Sequence, residues 1–178
     1  MANPLILLVN DIPDHARAYE AVLKRNGYRV QLVHNAAAAL VAARAERPAC
    51  TVIDVRLPDV TGWTLCRAMK DDKTAATTPI VMLTEDVSES CARDAADSGC
   101  SAWIAHPANA HDVVRTVEYV IGRNRPSPEH GDAVIGVRAC GACGSEKTRA
   151  TLRLDTIQYY ACRSCNFSWR ADIIESVA

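Results

Sequence analysis

An α/β protein with a doubly wound, five-stranded parallel sheet and a small C-terminal β unit is the fold class that the sequence predicts. Three observations carry it. Between residues 4 and 123, five short apolar runs alternate with five helical patterns, the order that produces a parallel sheet with helices on both faces. Residues 124–132, Asn-Arg-Pro-Ser-Pro-Glu-His-Gly-Asp, hold two prolines and one glycine and no large apolar side chain, so they read as a solvated linker. Beyond them, two Cys-x-x-Cys pairs lie in a stretch of about 45 residues, too short for an apolar core alone to stabilise it.

The apolar runs fall at 5–9, 28–33, 50–53, 80–83 and 101–104. Each is bounded by turn or capping residues, and their apolar density fits strands covered on both faces. The helical segments between them have recognisable stops: 14–26 closes at Gly27, 35–46 ends before Pro48, 61–72 follows the third run, 87–98 closes at Gly99 and 109–121 closes at Gly122. In the last of these Val113, Val117, Val120 and Ile121 recur at i, i+4, i+7 and i+8, one apolar stripe. The boundaries that follow are a domain at 1–123, a linker at 124–133 and a second unit at 134–178. No internal repeat, low-complexity tract, heptad pattern or phosphate-binding glycine motif interrupts this organisation.

Composition narrows the function. A chain of 178 residues has room for one ordinary domain and a small appendage, not for two large domains. With 20 Lys and Arg against 21 Asp and Glu, the net charge is −1, so no overall field holds the protein on nucleic acid or an anionic membrane. The apolar run at Leu5–Val9 lacks a basic flank and is followed at once by Asn10 and Asp11, which fits neither a signal peptide nor a membrane span. A soluble cytoplasmic protein is expected. In that compartment cysteines are free thiols or metal ligands and not disulfides.

In an open parallel sheet, ligands gather beyond the carboxyl ends of the strands. What stands there is chemical: Asn10 and Asp11 after the first run, Asp54 after the third, Thr84 after the fourth, His106 and Pro107 after the fifth. The second run ends with nothing comparable. Two carboxylates about 4 Å apart repel by roughly 4 kcal/mol at an effective dielectric of 20, so they need a cation or proton between them. Mg²⁺ suits one or two carboxylates plus a phosphoryl oxygen, and Asp54 would then be a nucleophile for phosphoryl transfer.

At these residues the chain resembles the receiver domains of two-component response regulators. The resemblance rests on Leu5-Ile-Leu-Leu-Val-Asn-Asp11, Ile53-Asp54-Val-Arg-Leu-Pro58-Asp-Val-Thr-Gly62, Met82-Leu-Thr84 and Trp103-Ile-Ala-His106-Pro107, over residues 4 to 123. It implies a flavodoxin-like sheet of order 2-1-3-4-5, with Asp54 as phosphoacceptor, Thr84 and Trp103 as switch residues, and Asp11, Asp54 and the carbonyl of Arg56 as Mg²⁺ ligands. A sensor histidine kinase or another upstream regulator is the implied partner, and a homodimer through the fourth and fifth helices the implied assembly. Three departures stand out. Asn10 occupies the place of a second acid, His106 that of a lysine, and Glu85 that of a small residue after the threonine. His106 and Arg56 are then the candidate phosphate-site cations, and a degenerate, phosphorylation-independent receiver is the competing reading.

Each residue also has a plainer role. Asp11 could cap the helix near Asp14, Thr84 the fourth helix, and Trp103 could simply fill core. Cys50, Cys66, Cys91 and Cys100 read as small buried hydrophobes. His15, His34, His111 and His130 lack partners at ligand spacing and are expected to be solvated.

In the second unit, Cys140-Gly-Ala-Cys143 and Cys162-Arg-Ser-Cys165 are separated by 18 residues, a spacing suited to a closed four-thiolate structural Zn²⁺ site. The intervening 150–161 segment reads as a strand pair turning near Asp155. The unit looks like a zinc ribbon, with Asn166-Phe-Ser-Trp169 resembling its aromatic closing strand. From Val134 onward six basic residues face four acidic ones, so the unit is near neutral once thiolates and metal are added.

The reading is therefore a non-enzymatic response regulator whose zinc ribbon contacts an effector protein. The alternative is a transcription or nucleic-acid accessory factor, in which Arg149, Arg153 and Arg163 with Tyr159, Tyr160 and Trp169 touch phosphates and bases and the first domain is a docking or dimerisation scaffold.

Overall fold

Near-continuous apolar residues along the central strands, rather than alternate ones, call for a sheet covered on both faces. The computed structural model describes residues 3–85, 89–105, 110–122, 148–154, 157–162 and 167–172, with the last three segments as backbone. The elements run β1 (Leu5–Val9), α1 (Pro13–Arg25), β2 (Arg29–Val33), α2 (Ala36–Glu46), β3 (Cys50–Asp54), α3 (Gly62–Asp71), β4 (Ile80–Thr84), α4 (Glu89–Ser98), β5 (Ala102–Ala105) and α5 (Ala110–Val120). Strands β6 (Thr148–Leu154), β7 (Ile157–Cys162) and β8 (Phe167–Asp172) follow.

The first five strands are parallel in the order β2-β1-β3-β4-β5, as expected. Strand alternation sends successive side chains to opposite cores. Leu7, Val9, Ile53, Met82 and Trp103 join Ala39 and Ala43 of α2 with Trp63, Leu65 and Met69 of α3. Ile6, Leu8, Val52, Val81, Leu83 and Ile104 join Tyr19 and Leu23 of α1 with Val113 and Val117 of α5. The alanine-rich α2 packs closely because its buried positions, Ala36, Ala39, Ala42 and Ala43, carry only a methyl group.

Helix ends follow local chemistry. Pro13 opens α1, where its missing N–H costs nothing. Asn35 caps α2 by accepting from the Ala38 amide at 2.8 Å, and Thr61 caps α3 by accepting from Thr64 at 3.2 Å. Gly27 turns the chain out of α1 at φ +81°, a conformation that a side chain would strain.

The three C-terminal strands were expected as a unit of their own. Instead, β8 pairs antiparallel with β5, with Ala102 opposite Trp169, Trp103 opposite Ser168 and Ile104 opposite Phe167, and the eight strands form one sheet ending β5-β8-β7-β6. Edge strand β5 still has unpaired backbone groups along one side, and β8 satisfies them. The β6–β7 pair and the closing strand lie where the sequence put them, with a bulge between Ala150 and Leu152. The linker, the 155–156 turn and the residues after 172 lie outside the described residues. Among the described residues no helix is long and apolar enough to cross a membrane.

Candidate functional site

The rim at the carboxyl ends of β1, β3 and β4 brings together residues separated by more than 40 positions. Asp54 is buried at the last position of β3. Its Oδ2 accepts a 3.0 Å hydrogen bond from the side-chain amide of Asn10, and its Oδ1 accepts from the backbone N–H of Arg56 at 2.9 Å. Asn10 is fully buried, and its Oδ1 accepts from the Ile12 amide at 2.8 Å. That bond settles which way the amide points, so Asn10 faces Asp54 with a donor and presents no oxygen to it.

Thr84 is buried at the end of β4, one position past Leu83, which registers with Asp54. The Val55 amide donates to the Leu83 carbonyl at 2.9 Å and keeps the two strand ends together. Asp11 is exposed beside Asn10. It does not cap α1: the cap position is Ile12, without a side-chain cap bond. Trp103 is buried in the core shared by α2, α3 and α4. His106 and Pro107 lie outside the described residues.

Four features of the rim escape sequence reasoning. His34 is exposed, as expected, yet it is not without a partner: its Nδ1 lies 2.9 Å from the Asn10 carbonyl. A carbonyl only accepts, so Nδ1 carries the proton and donates, and β2 does contribute to the rim. Asp59 accepts from the Ala36 and Ala37 amides at 3.0 and 3.1 Å, tying the β3–α3 loop to the start of α2. The Ala36 amide, helped by those of Ala37, Asp59 and Val60, holds the Asp59 carboxyl below its usual range. Arg56 and Glu85 form an ion pair across the β3 and β4 ends. Gly62, at the start of α3, packs so closely on the Asp54 carbonyl and Val55 Cα that a Cβ would collide with both. Gly62, Arg56 and Asp59 stand in the quoted motif and Glu85 among the departures, but nothing in the motif says which partner each of them meets.

The charge of Asp54 is felt in the core. Burial first, and then the Asp54 carboxylate, push the Tyr19 hydroxyl up to about 12. Cys50, Cys66, Cys91 and Cys100 are all buried, as expected. Burial raises the Cys50 and Cys66 thiols, which keeps them protonated and poorly nucleophilic.

For a divalent cation the rim offers few oxygens. Among the described residues no cluster of three or more His, Cys, Asp or Glu side chains is arranged to hold a metal. Buried Asp54 and exposed Asp11 are the carboxylates near the β1 and β3 ends, and carboxylate oxygens are the donor type that Mg²⁺ retaining several waters takes. Of the four cysteines in the two Cys-x-x-Cys pairs, Cys162 is described, and its backbone closes β7 opposite Thr148. Cys140, Cys143 and Cys165 lie outside the described residues.

Known proteins with this arrangement are numerous. The DNA-binding response regulator MtrA of Mycolicibacterium smegmatis is 30% identical over 138 residues, which cover 75% of this chain and 59% of MtrA. Response regulator PleD of Caulobacter vibrioides is 32% identical over 102 residues, 57% of this chain and 22% of PleD. The chain thus spans only part of the length of these relatives. Among solved structures, the receiver domain of the sensor histidine kinase PA1611 from Pseudomonas aeruginosa, with a magnesium ion coordinated in its active site cleft, superposes with a TM-score of 0.63 at 29% identity. It covers 68% of this chain and 99% of that one. The chemotaxis response regulator CheY4 of Vibrio cholerae gives a TM-score of 0.63 at 25% identity, covering 66% and 98%. The profile described as response regulator receiver domain matches residues 6–118, and with the same sheet order and strand-end rim behind that match, the chain belongs to the response regulator receiver family.

Proposed function

We propose that the protein is a response regulator of two-component signalling that accepts a phosphoryl group on Asp54. The observation that carries this reading is the environment of Asp54: a carboxylate at a strand end, oriented by the Asn10 amide and the Arg56 N–H, with buried Thr84 at the end of the neighbouring strand. One Asp54 oxygen attacks phosphorus, and the donor–phosphorus bond breaks with its electron pair leaving on the donor. Asp11, Asp54 and the Arg56 carbonyl would hold Mg²⁺, whose charge offsets that of the transferring group. In the absence of the usual lysine, His106 and Arg56 are the cations available to the added phosphate oxygens. The new charge, between one and two negative units, would be sensed through Thr84 and Trp103.

The second reading, a receiver that works without phosphorylation, is supported by Asn10, which gives Asp54 a neutral donor that no cation need supply. The output in either case is the C-terminal unit, read as a ribbon on Cys140, Cys143, Cys162 and Cys165 with structural Zn²⁺ and an effector protein as its partner. Its strand β8 runs beside the strand that carries Trp103, which supports a direct route from the rim to the output.

Mass spectrometry after incubation with phosphoramidate and Mg²⁺ tests the assignment. The native chain gains one phosphoryl group and Asp54→Asn gains none. A native chain that stays unmodified, at donor concentrations that modify a typical receiver, leaves the phosphorylation-independent reading.

A further inference from the structure

The loop ends above β3 and β4 carry one pair of opposite charges. Arg56 stands two residues past Asp54, and while its backbone N–H donates to Asp54 Oδ1, its guanidinium Nη2 reaches sideways to Glu85 Oε1. Glu85 follows Thr84 directly, and β3 and β4 are hydrogen-bonded neighbours, so the ion pair spans the two chain ends that flank the Asp54 carboxylate. Both side chains are open to water, at 62% and 56% exposure. Ion pairs this exposed are weak and readily exchanged.

A guanidinium is a planar fork that matches a phosphoryl group as well as a carboxylate, and a phosphoryl dianion is the stronger partner. We propose that Glu85 is a built-in competitor for Arg56. It holds the guanidinium against the β4 end until a phosphoryl group on Asp54 takes the guanidinium over, and the released Glu85 is then repelled by the new dianion. The exchange couples charge arriving at Asp54 to release of the Glu85 carboxylate from Arg56. Glu85 is therefore a positioning residue acting through Arg56, and Arg56 is the anion-binding side chain. This rests on the reading of Asp54 as acceptor.

The test uses the full chain as native protein, Glu85→Gln, Arg56→Ala and the double variant, all substitutions at exposed side chains. Two readouts are taken: the rate of phosphorylation by phosphoramidate with Mg²⁺, and the NMR shift of the Arg56 Nε–Hε signal during titration with inorganic phosphate. Glu85→Gln should accelerate phosphorylation about three- to tenfold in the native background and less than twofold in the Arg56→Ala background, because competition requires the guanidinium. Equal acceleration in both backgrounds would mean plain repulsion by Glu85 and would overturn the proposal. If no variant is phosphorylated, the acceptor reading fails, and the phosphate titration alone decides whether Glu85 competes with phosphate for Arg56. Saturation of the Arg56 signal at lower phosphate in Glu85→Gln than in the native chain supports it, and identical titrations overturn it.

Discussion

Asn10 shows how one side-chain atom alters a charged rim. An aspartate at this position would set a carboxylate beside Asp54, where an amide now donates a 3.0 Å hydrogen bond. Asn10→Asp therefore removes a favourable contact and adds a repulsion that only a cation relieves. The variant should melt at lower temperature than the native chain in EDTA and regain most of the loss in millimolar Mg²⁺, with Mg²⁺ affinity raised about tenfold, or roughly 1.4 kcal/mol. Calorimetric titration and thermal melts measure both. Unchanged Mg²⁺ affinity would mean that the residue 10 side chain does not face the cation. The amide orientation behind this prediction depends on Ile12 N–H, a contact that the residue type alone does not specify.

At the scale of elements, the rim is held by how helices begin. Helix α3 starts against the backbone of Asp54 and Val55, and only a residue without Cβ permits that approach. Gly62→Ala should force α3 away from β3 and destabilise the protein by about 1–3 kcal/mol, measured as a lower urea midpoint with unchanged slope. Helix α2 begins on Asp59, whose carboxylate takes the otherwise orphaned Ala36 and Ala37 amides. Because folding lowers the Asp59 pKa, its contribution is present above the ordinary aspartate range and is lost as pH falls through the lowered folded value. Asp59→Asn should therefore flatten the stability profile of the native chain as pH falls below the ordinary aspartate range, and acid titration of both by circular dichroism shows it. Parallel profiles would exclude the tie.

Across the whole molecule, the addition of β8 to β5 changes what the sheet presents. Strand β5 would otherwise be an open edge available to another chain, and here it is covered by the protein's own C-terminal strands. Helix α4 also approaches β6, so the added strands curl toward the helix that follows Thr84 and Glu85. Amide exchange in the full chain should protect β5 nearly as well as β4. Chelation of the proposed Zn²⁺ should raise exchange in β5 together with β7 and β8, whereas exchange in β5 as fast as in a frayed edge, with metal present, would contradict the pairing.

Much of this organisation was legible in order along the chain. The apolar runs, glycine stops and strand-end residues determined five parallel strands, the burial of the four scattered cysteines, and the gathering of Asp54 and Thr84 at one rim, because hydrophobic period and turn chemistry are local properties. The roles of His34, Asp59 and the Arg56–Glu85 pair were decided only by the tertiary structure. Each depends on loops from different strands meeting across 22 to 29 residues of sequence, and no local period encodes which exposed side chain a folded loop will reach. The docking of the last three strands on β5 has the same origin: an edge accepts any strand with free backbone groups, so its occupant is selected by three-dimensional proximity and not by residue type.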